Sequence, residues 1–119
     1  MTYMPNMPLD PSKLVSLCPT ADVTSDVPVR AEIEGNAYAV FVVDGQYYVT
    51  QDICTHGPGS MSEGFVEGGE VECPFHQGKF DIRSGAPTAP PCTEALRTWT
   101  AQVVNGNICI DPHEVRSAG

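Results

Sequence analysis

The stretch CTHGPGSMSEGFVEGGEVECPFHQGKFDIRSG, running from Cys54 to Gly85, decides how this chain is read. It contains two short pieces, Cys54-Thr55-His56 and Cys73-Pro74-Phe75-His76, with 16 residues between them. Each offers one thiol and one imidazole. The chain has only three His, and two of them follow a Cys closely. Thiolate suits soft metals and imidazole suits borderline ones, so a site built from two of each points to zinc or iron. Cys-x-His is too tight for a helix to aim both side chains at one point, so the ligands must come from loops. Both pieces carry loop chemistry: His56 runs into Gly57-Pro58-Gly59, and Cys73 is followed by Pro74 and, shortly after, Gly78. The glycines allow unusual backbone angles and the prolines stiffen the turns. A Cys2His2 zinc module is the other use of these residue types. Zinc fingers of that composition place both Cys in one half and both His in the other, the His on a helix. Here each half is mixed.

In order and spacing the two pieces match the Rieske [2Fe-2S] signature. From about Lys13 to Pro112 the chain resembles the Rieske ferredoxins that serve bacterial aromatic-ring dioxygenases. The resemblance implies one [2Fe-2S] cluster, with Cys54 and Cys73 on one iron and His56 and His76 on the other through Nδ1. It implies a fold in which a smaller cluster-binding subdomain is inserted into an antiparallel β-sandwich or barrel. It also places Gly85 to Pro91 as a third loop covering one side of the cluster. The exposed His tip would be ringed by Gly57, Pro58, Gln77, Pro90 and Pro91, small and apolar residues that let a partner approach closely. The implied partners are an NADH-dependent flavoprotein reductase, which supplies one electron, and a terminal ring-hydroxylating oxygenase, which receives it.

The chain departs from the high-potential branch of that family. The extra loop cysteines that form a disulfide there are missing: Phe75 takes the place of one, and the first loop continues Gly57-Pro58-Gly59-Ser60. Gly78 and Phe80 stand where that branch has a Ser and a Tyr donating hydroxyls to cluster sulfur. Two ferric ions, two sulfides and two thiolates cancel in charge, so a core with two His ligands is neutral when oxidised and accepts an electron more readily than a four-thiolate core. This puts the potential between about −150 and +300 mV, the position within that window set by hydrogen bonds and solvent exposure. Without the hydroxyl donors a low-potential carrier is expected.

No residues suggest bond-making chemistry. Both clustered His are used by the cluster, so no 2-His-1-carboxylate iron site remains, and there is no Gly-rich dinucleotide fingerprint. Terminal oxygenases carry the same motif but continue into a long catalytic domain, whereas this chain closes at Gly119. An electron carrier is therefore expected. The alternatives are a Rieske-like small subunit of another oxidoreductase, such as a nitrite reductase, and the zinc module.

Composition agrees. At 119 residues a single domain is expected. The net charge of −9 disfavours nucleic acid and anionic membrane, and suits a partner with a basic docking patch. No apolar run is long enough to span a bilayer, and MTYMPNMPLDPSK lacks the build of a signal peptide. A cytoplasmic monomer is expected. Five Cys in no framework spacing do not read as a disulfide scaffold. Cys18, Cys92 and Cys109 are expected to be small buried hydrophobes.

Along the chain the pattern is all-β. Residues 1–12 read as a loose arm. Lys13 to Leu17 reads as a strand, and Cys18-Pro19-Thr20-Ala21-Asp22 as a turn with a helical turn after Thr20. Val29 to Glu34 alternates apolar and polar residues, a half-buried strand. Gly35-Asn36 turns the chain into Ala37–Val43, and Asp44-Gly45 makes a hairpin with Gln46–Gln51. Glu70–Cys73 and Lys79–Ile82 are short strands. The proline-rich run from Gly85 to Pro91 cannot be a central strand. Leu96–Val104 and Asn107–Ile110 pair across Asn105-Gly106, with Trp99 as core filler. His113 reads as an exposed spectator in a polar tail. The base is thus 13–51 and 93–111, and the cluster-binding subdomain is 52–92.

Overall fold

The computed structural model describes residues 13–25, 27–55, 59–74, 78–90 and 93–117. Among these there is no α-helix, and the described residues form twelve strands. They are β1 (Val15–Pro19), β2 (Val29–Ile33), β3 (Asn36–Val43), β4 (Gln46–Gln51), β5 (Phe65–Glu67) and β6 (Glu70–Glu72), followed by β7 (Lys79–Asp81), β8 (Pro87–Ala89), β9 (Arg97–Trp99), β10 (Gln102–Val104), β11 (Asn107–Ile110) and β12 (Val115–Ser117). They pair into three antiparallel sheets, ordered β1-β11-β10, β12-β9-β4-β3-β2 and β5-β6-β7-β8. The first two draw on both ends of the chain, and the third comes wholly from the middle. The all-β expectation holds.

Local turn chemistry explains the hairpins. At Asp44-Gly45 and Asn105-Gly106 both central residues take positive φ (52° and 77°, 51° and 79°). That is the backbone of a type I′ turn, whose twist matches the strands it joins. The turn expected at Gly35-Asn36 sits one residue earlier, at Glu34-Gly35 (50° and 84°). Asn36 already belongs to β3, opposite Ile33. The five-pair ladder between β2 and β3 sets this register, and Glu34 accepts the left-handed angle that the register imposes.

Strand β3 separates two cores. Its residues 38 to 41 are all buried, and successive side chains point to opposite faces. Tyr38 and Val40 join Val23, Val49, Trp99, Ile108 and Ile110 in the base core. Ala39 and Phe41 join Cys54, Met61, Val71, Cys73, Phe80, Ile82 and Leu96 in the second core. The unbroken apolar run Ala37–Val43 reflects coverage on both faces. Trp99 fills the base core as expected, edge-on to Tyr38 at 4.9 Å between ring centroids, with Nε1 donating to the Pro112 carbonyl at 3.0 Å. Cys18 and Cys109 are buried as expected.

Four readings are corrected. Cys18-Pro19 is not a turn, since β1 runs through Pro19 to pair with Asn107. The missing proline N–H is tolerated because β1 is an edge strand. The helical turn after Thr20 is present. Leu96–Val104 is not one strand: it divides at Thr100-Ala101, so that β9 pairs with β4 and β10 with β11, in different sheets. A strand that changes sheets forms the corner between them. The third loop, 85–91, is not all loop: it contains the strand β8, which lies at a sheet edge, so the expectation that this run is no central strand holds. The polar tail adds β12, which pairs with β9 and carries the base beyond residue 111.

Candidate metal centre

Cys54 and Cys73 stand at the mouths of two loops built alike. The Cys54 amide donates to the Gly59 carbonyl at 2.8 Å, and the Cys73 amide to the Gly78 carbonyl at 2.7 Å. Each cysteine therefore closes a loop on the residue five positions later. Both sulfur-bearing residues are nearly sealed from solvent, 5% and 2% exposed, and both line the second core. Phe80 and Met61, each fully buried, pack in the same cluster.

The supports of the two loops differ. The second loop caps the β6–β7 ladder, whose last pair is Glu72 with Lys79. The first is flanked by a single bridge between Ile53 and Ser60 and is tied down by Asp52. That carboxylate is completely buried; it accepts from the Ser62 amide at 2.9 Å, from Arg30 Nε at 3.1 Å and from the Ser60 hydroxyl. The Glu32 carboxylate, 3.0 Å from Arg30, pushes the pKa of that guanidinium up, and Asp52 adds to the effect. The Thr55 hydroxyl donates to the Glu94 carbonyl at 2.7 Å, joining the first loop to the segment that leads into β9.

Two glycines shape the surroundings: Gly64, which sequence reading passed over, and Gly85, which it placed only at the start of the third loop. A Cβ on Gly64 would meet the Glu72 carbonyl at 2.5 Å, and one on Gly85 would meet the Leu96 carbonyl at the same distance. Gly85 also takes φ +81°. Motif spacing gave no signal for the close packing at these positions or for Asp52.

Of the residues expected at the site, the structure brings Cys54, Cys73 and Phe80 into one cluster, sets Gly78 as the acceptor that closes the second loop, and leaves Pro90 exposed beyond β8. His56, Gly57, Pro58, Phe75, His76, Gln77, Pro91 and Cys92 lie outside the described residues, as do residues 1–12. His113 is exposed, as expected. On the outward face of the β5–β8 sheet, Phe65 is 66% exposed opposite Glu72, and Glu67 lies opposite Glu70.

Two buried thiols on matching loops, each followed by an imidazole in the sequence, fit a cluster that takes two Cys and two His. Fold and site thus define a small all-β protein with two buried thiols at matching loop closures. Residues 13–100 match the Rieske [2Fe-2S] domain, and the chain belongs to that family. Its cofactor is one Rieske-type [2Fe-2S] cluster. The chain is 44% identical over 105 residues to the ferredoxin component of the p-cumate 2,3-dioxygenase system of Pseudomonas putida, covering 87% of this chain and 89% of that one. A ferredoxin of Sphingomonas yanoikuyae B1 superposes with a TM-score of 0.79 at 41% identity, covering 82% of this chain and 96% of that one. A solved complex of reduced oxygenase and oxidised ferredoxin in carbazole 1,9a-dioxygenase matches with a TM-score of 0.77 at 35% identity, covering 82% and 92%.

Proposed function

We propose that this protein is the ferredoxin of a multicomponent aromatic-ring dioxygenase system, taking one electron from an NADH-dependent flavoprotein reductase and passing it to the terminal oxygenase. It is a carrier and performs no bond chemistry of its own. The observation that carries this reading is the pair of matching loop closures that bring Cys54 and Cys73 into one buried cluster. When bound, the cluster takes up and releases a single electron.

The ligand assignment is Cys54 and Cys73 to one iron and His56 and His76 to the other. The protein's share of the work is placement and environment. Burial of both cysteines keeps water from the thiolate side. Phe80, Met61, Ile82 and Leu96 surround that side with apolar atoms, which disfavour added negative charge and hold the potential low. Neither Gly78 nor Phe80 brings a hydroxyl to oppose this. The rim of Gly57, Pro58, Gln77, Pro90 and Pro91 is where partners approach. The acidic flank of Glu67, Glu70 and Glu72 beside Phe65 favours a partner with a basic surface.

The chain reads as one domain, with a base of 13–51 and 93–111 extended by β12, and a cluster-binding part of 52–92. Among the described residues no helix is long and apolar enough to cross a membrane. A cytoplasmic monomer suits a carrier that must reach two partners in turn. The test is NADH-driven bleaching of the visible spectrum on mixing with the flavoprotein reductase of an aromatic dioxygenase system, followed by recolouring on addition of the matching oxygenase and its substrate. An intact cluster that no such reductase reduces would overturn the assignment.

A further inference from the structure

The two ligand loops share one backbone closure but not one support, and the difference falls on Asp52. The second loop grows from a three-pair ladder between β6 and β7. Among the described residues the first has only the bridge between Ile53 and Ser60 beside it. Asp52 makes up the difference with both its backbone and its side chain. Its amide donates to the Ala37 carbonyl at 3.1 Å, which anchors it to β3 of the base. Its carbonyl accepts the Met61 amide at 2.6 Å, beyond the far end of the loop. Its carboxylate, sealed from water, collects Ser60, Ser62 and Arg30. Ser60 and Ser62 also share a hydrogen bond at 3.0 Å.

We propose that Asp52 is the positioning residue beside the ligand Cys54, holding the two described ends of the first ligand loop together through Ser60, Ser62 and Arg30. This rests on the reading of Cys54 and His56 as ligands. The physical reason is the donor count. All three partners of the Asp52 carboxylate, the Ser60 hydroxyl, the Ser62 backbone amide and Arg30 Nε, point a donor at it, and Arg30 is cationic. An amide in its place must aim its own NH2 at one of those donors, leaving a half-buried donor without its acceptor. The loop's far end then loses its side-chain anchor and keeps the backbone bond from the Met61 amide to the Asp52 carbonyl, whereas the second loop keeps its ladder.

The test uses the cluster-loaded protein and four variants: Asp52→Asn, Ser60→Ala, Ser60→Thr and, as a control in the base core, Ile108→Val. Two readouts are followed: the g values of the dithionite-reduced cluster in electron paramagnetic resonance, and the rate of iron transfer to bathophenanthroline. Asp52→Asn and Ser60→Ala should shift or broaden the g values and speed iron transfer by about tenfold or more, the usual effect of losing a partner behind a metal ligand. Ser60→Thr, which keeps the hydroxyl, should match the wild type. Ile108→Val should lower the melting temperature and leave both readouts unchanged. Should Asp52→Asn fail to fold, Ser60→Ala decides. Wild-type spectra and transfer rates in Ser60→Ala, or the same shifts in Ile108→Val, would overturn the role of Asp52. Wild-type protein lacking acid-labile sulfide would instead overturn the ligand reading, and the inference with it.

Discussion

Three glycines allow steric cost and backbone cost to be separated by substitution to alanine. Gly45 takes φ +77° and has open space where a Cβ would go. Alanine there should cost only the left-handed conformation, about 1–2 kcal/mol. Gly64 has an ordinary φ of −76°, but its Cβ would stand 2.5 Å from the Glu72 carbonyl and 2.8 Å from Val71 Cγ2. The backbone of β6, one residue before Cys73, must move; overpacking of this kind costs about 1–3 kcal/mol. Gly85 carries both burdens, φ +81° and a 2.5 Å contact with the Leu96 carbonyl. It also donates its amide to Asp81 and accepts from the Leu96 amide, so it cannot drift away. Gly85→Ala should therefore cost about 2–5 kcal/mol, the sum of the two terms. At about 4 °C per kcal/mol for a chain of this size, melting should fall by about 8–20 °C, against about 4–8 °C for Gly45→Ala. Thermal unfolding of cluster-loaded protein by circular dichroism supplies the numbers. Visible absorbance adds a second criterion: Gly64→Ala should lose colour before it loses ellipticity, because its strain lies beside Cys73. Equal melting of Gly85→Ala and Gly45→Ala would refute the steric reasoning.

Ala at Cys54, His56, Cys73 or His76, or Cys54→Ser, should abolish or strongly destabilise the cluster, since metal binding and local folding are coupled. Acid-labile sulfide and colour report this, and Cys18→Ser, Cys92→Ser and Cys109→Ser should keep both. A Cys92 variant that bleached while a Cys73 variant stayed coloured would reverse the ligand assignment. Phe80→Tyr should raise the midpoint potential by about 43 mV, the one-electron equivalent of a ~1 kcal/mol hydrogen bond; no rise by voltammetry means that the hydroxyl does not reach the cluster. Burial, with Asp22 alongside, pushes the Cys18 thiol above its usual range. The fold thus favours the neutral thiol, and the stability this contributes is complete below the unfolded-state pKa. It is lost as pH rises from about 8.5 through the folded value. Denaturant unfolding of Cys18→Ala should therefore show a gentler alkaline decline than the wild type, and parallel declines would remove Cys18 from the account.

Local chemistry alone carried much of this protein. The mixed Cys and His pieces name a metal donor set because thiolate and imidazole have few other reasons to recur at that spacing. Asp44-Gly45 and Asn105-Gly106 announce hairpins because only a few residue types accept two successive left-handed angles. Alternation in Val29–Ile33 marks a half-buried strand because pleating fixes which side each residue faces. What depended on partners distant in sequence was not legible. Pro19 and Pro87 sit in strands because those strands fall at sheet edges. Leu96–Val104 breaks at Thr100-Ala101 because β4 and β11, in separate sheets, each claim half of it. Glu34 turns where it does because the β2–β3 ladder outweighs its own preference. Asp52, Gly64 and Gly85 matter only through groups that folding brings against them. Asp52 reads as one acid among 15 until burial strips its water and leaves Arg30, Ser60 and Ser62 as its only solvent.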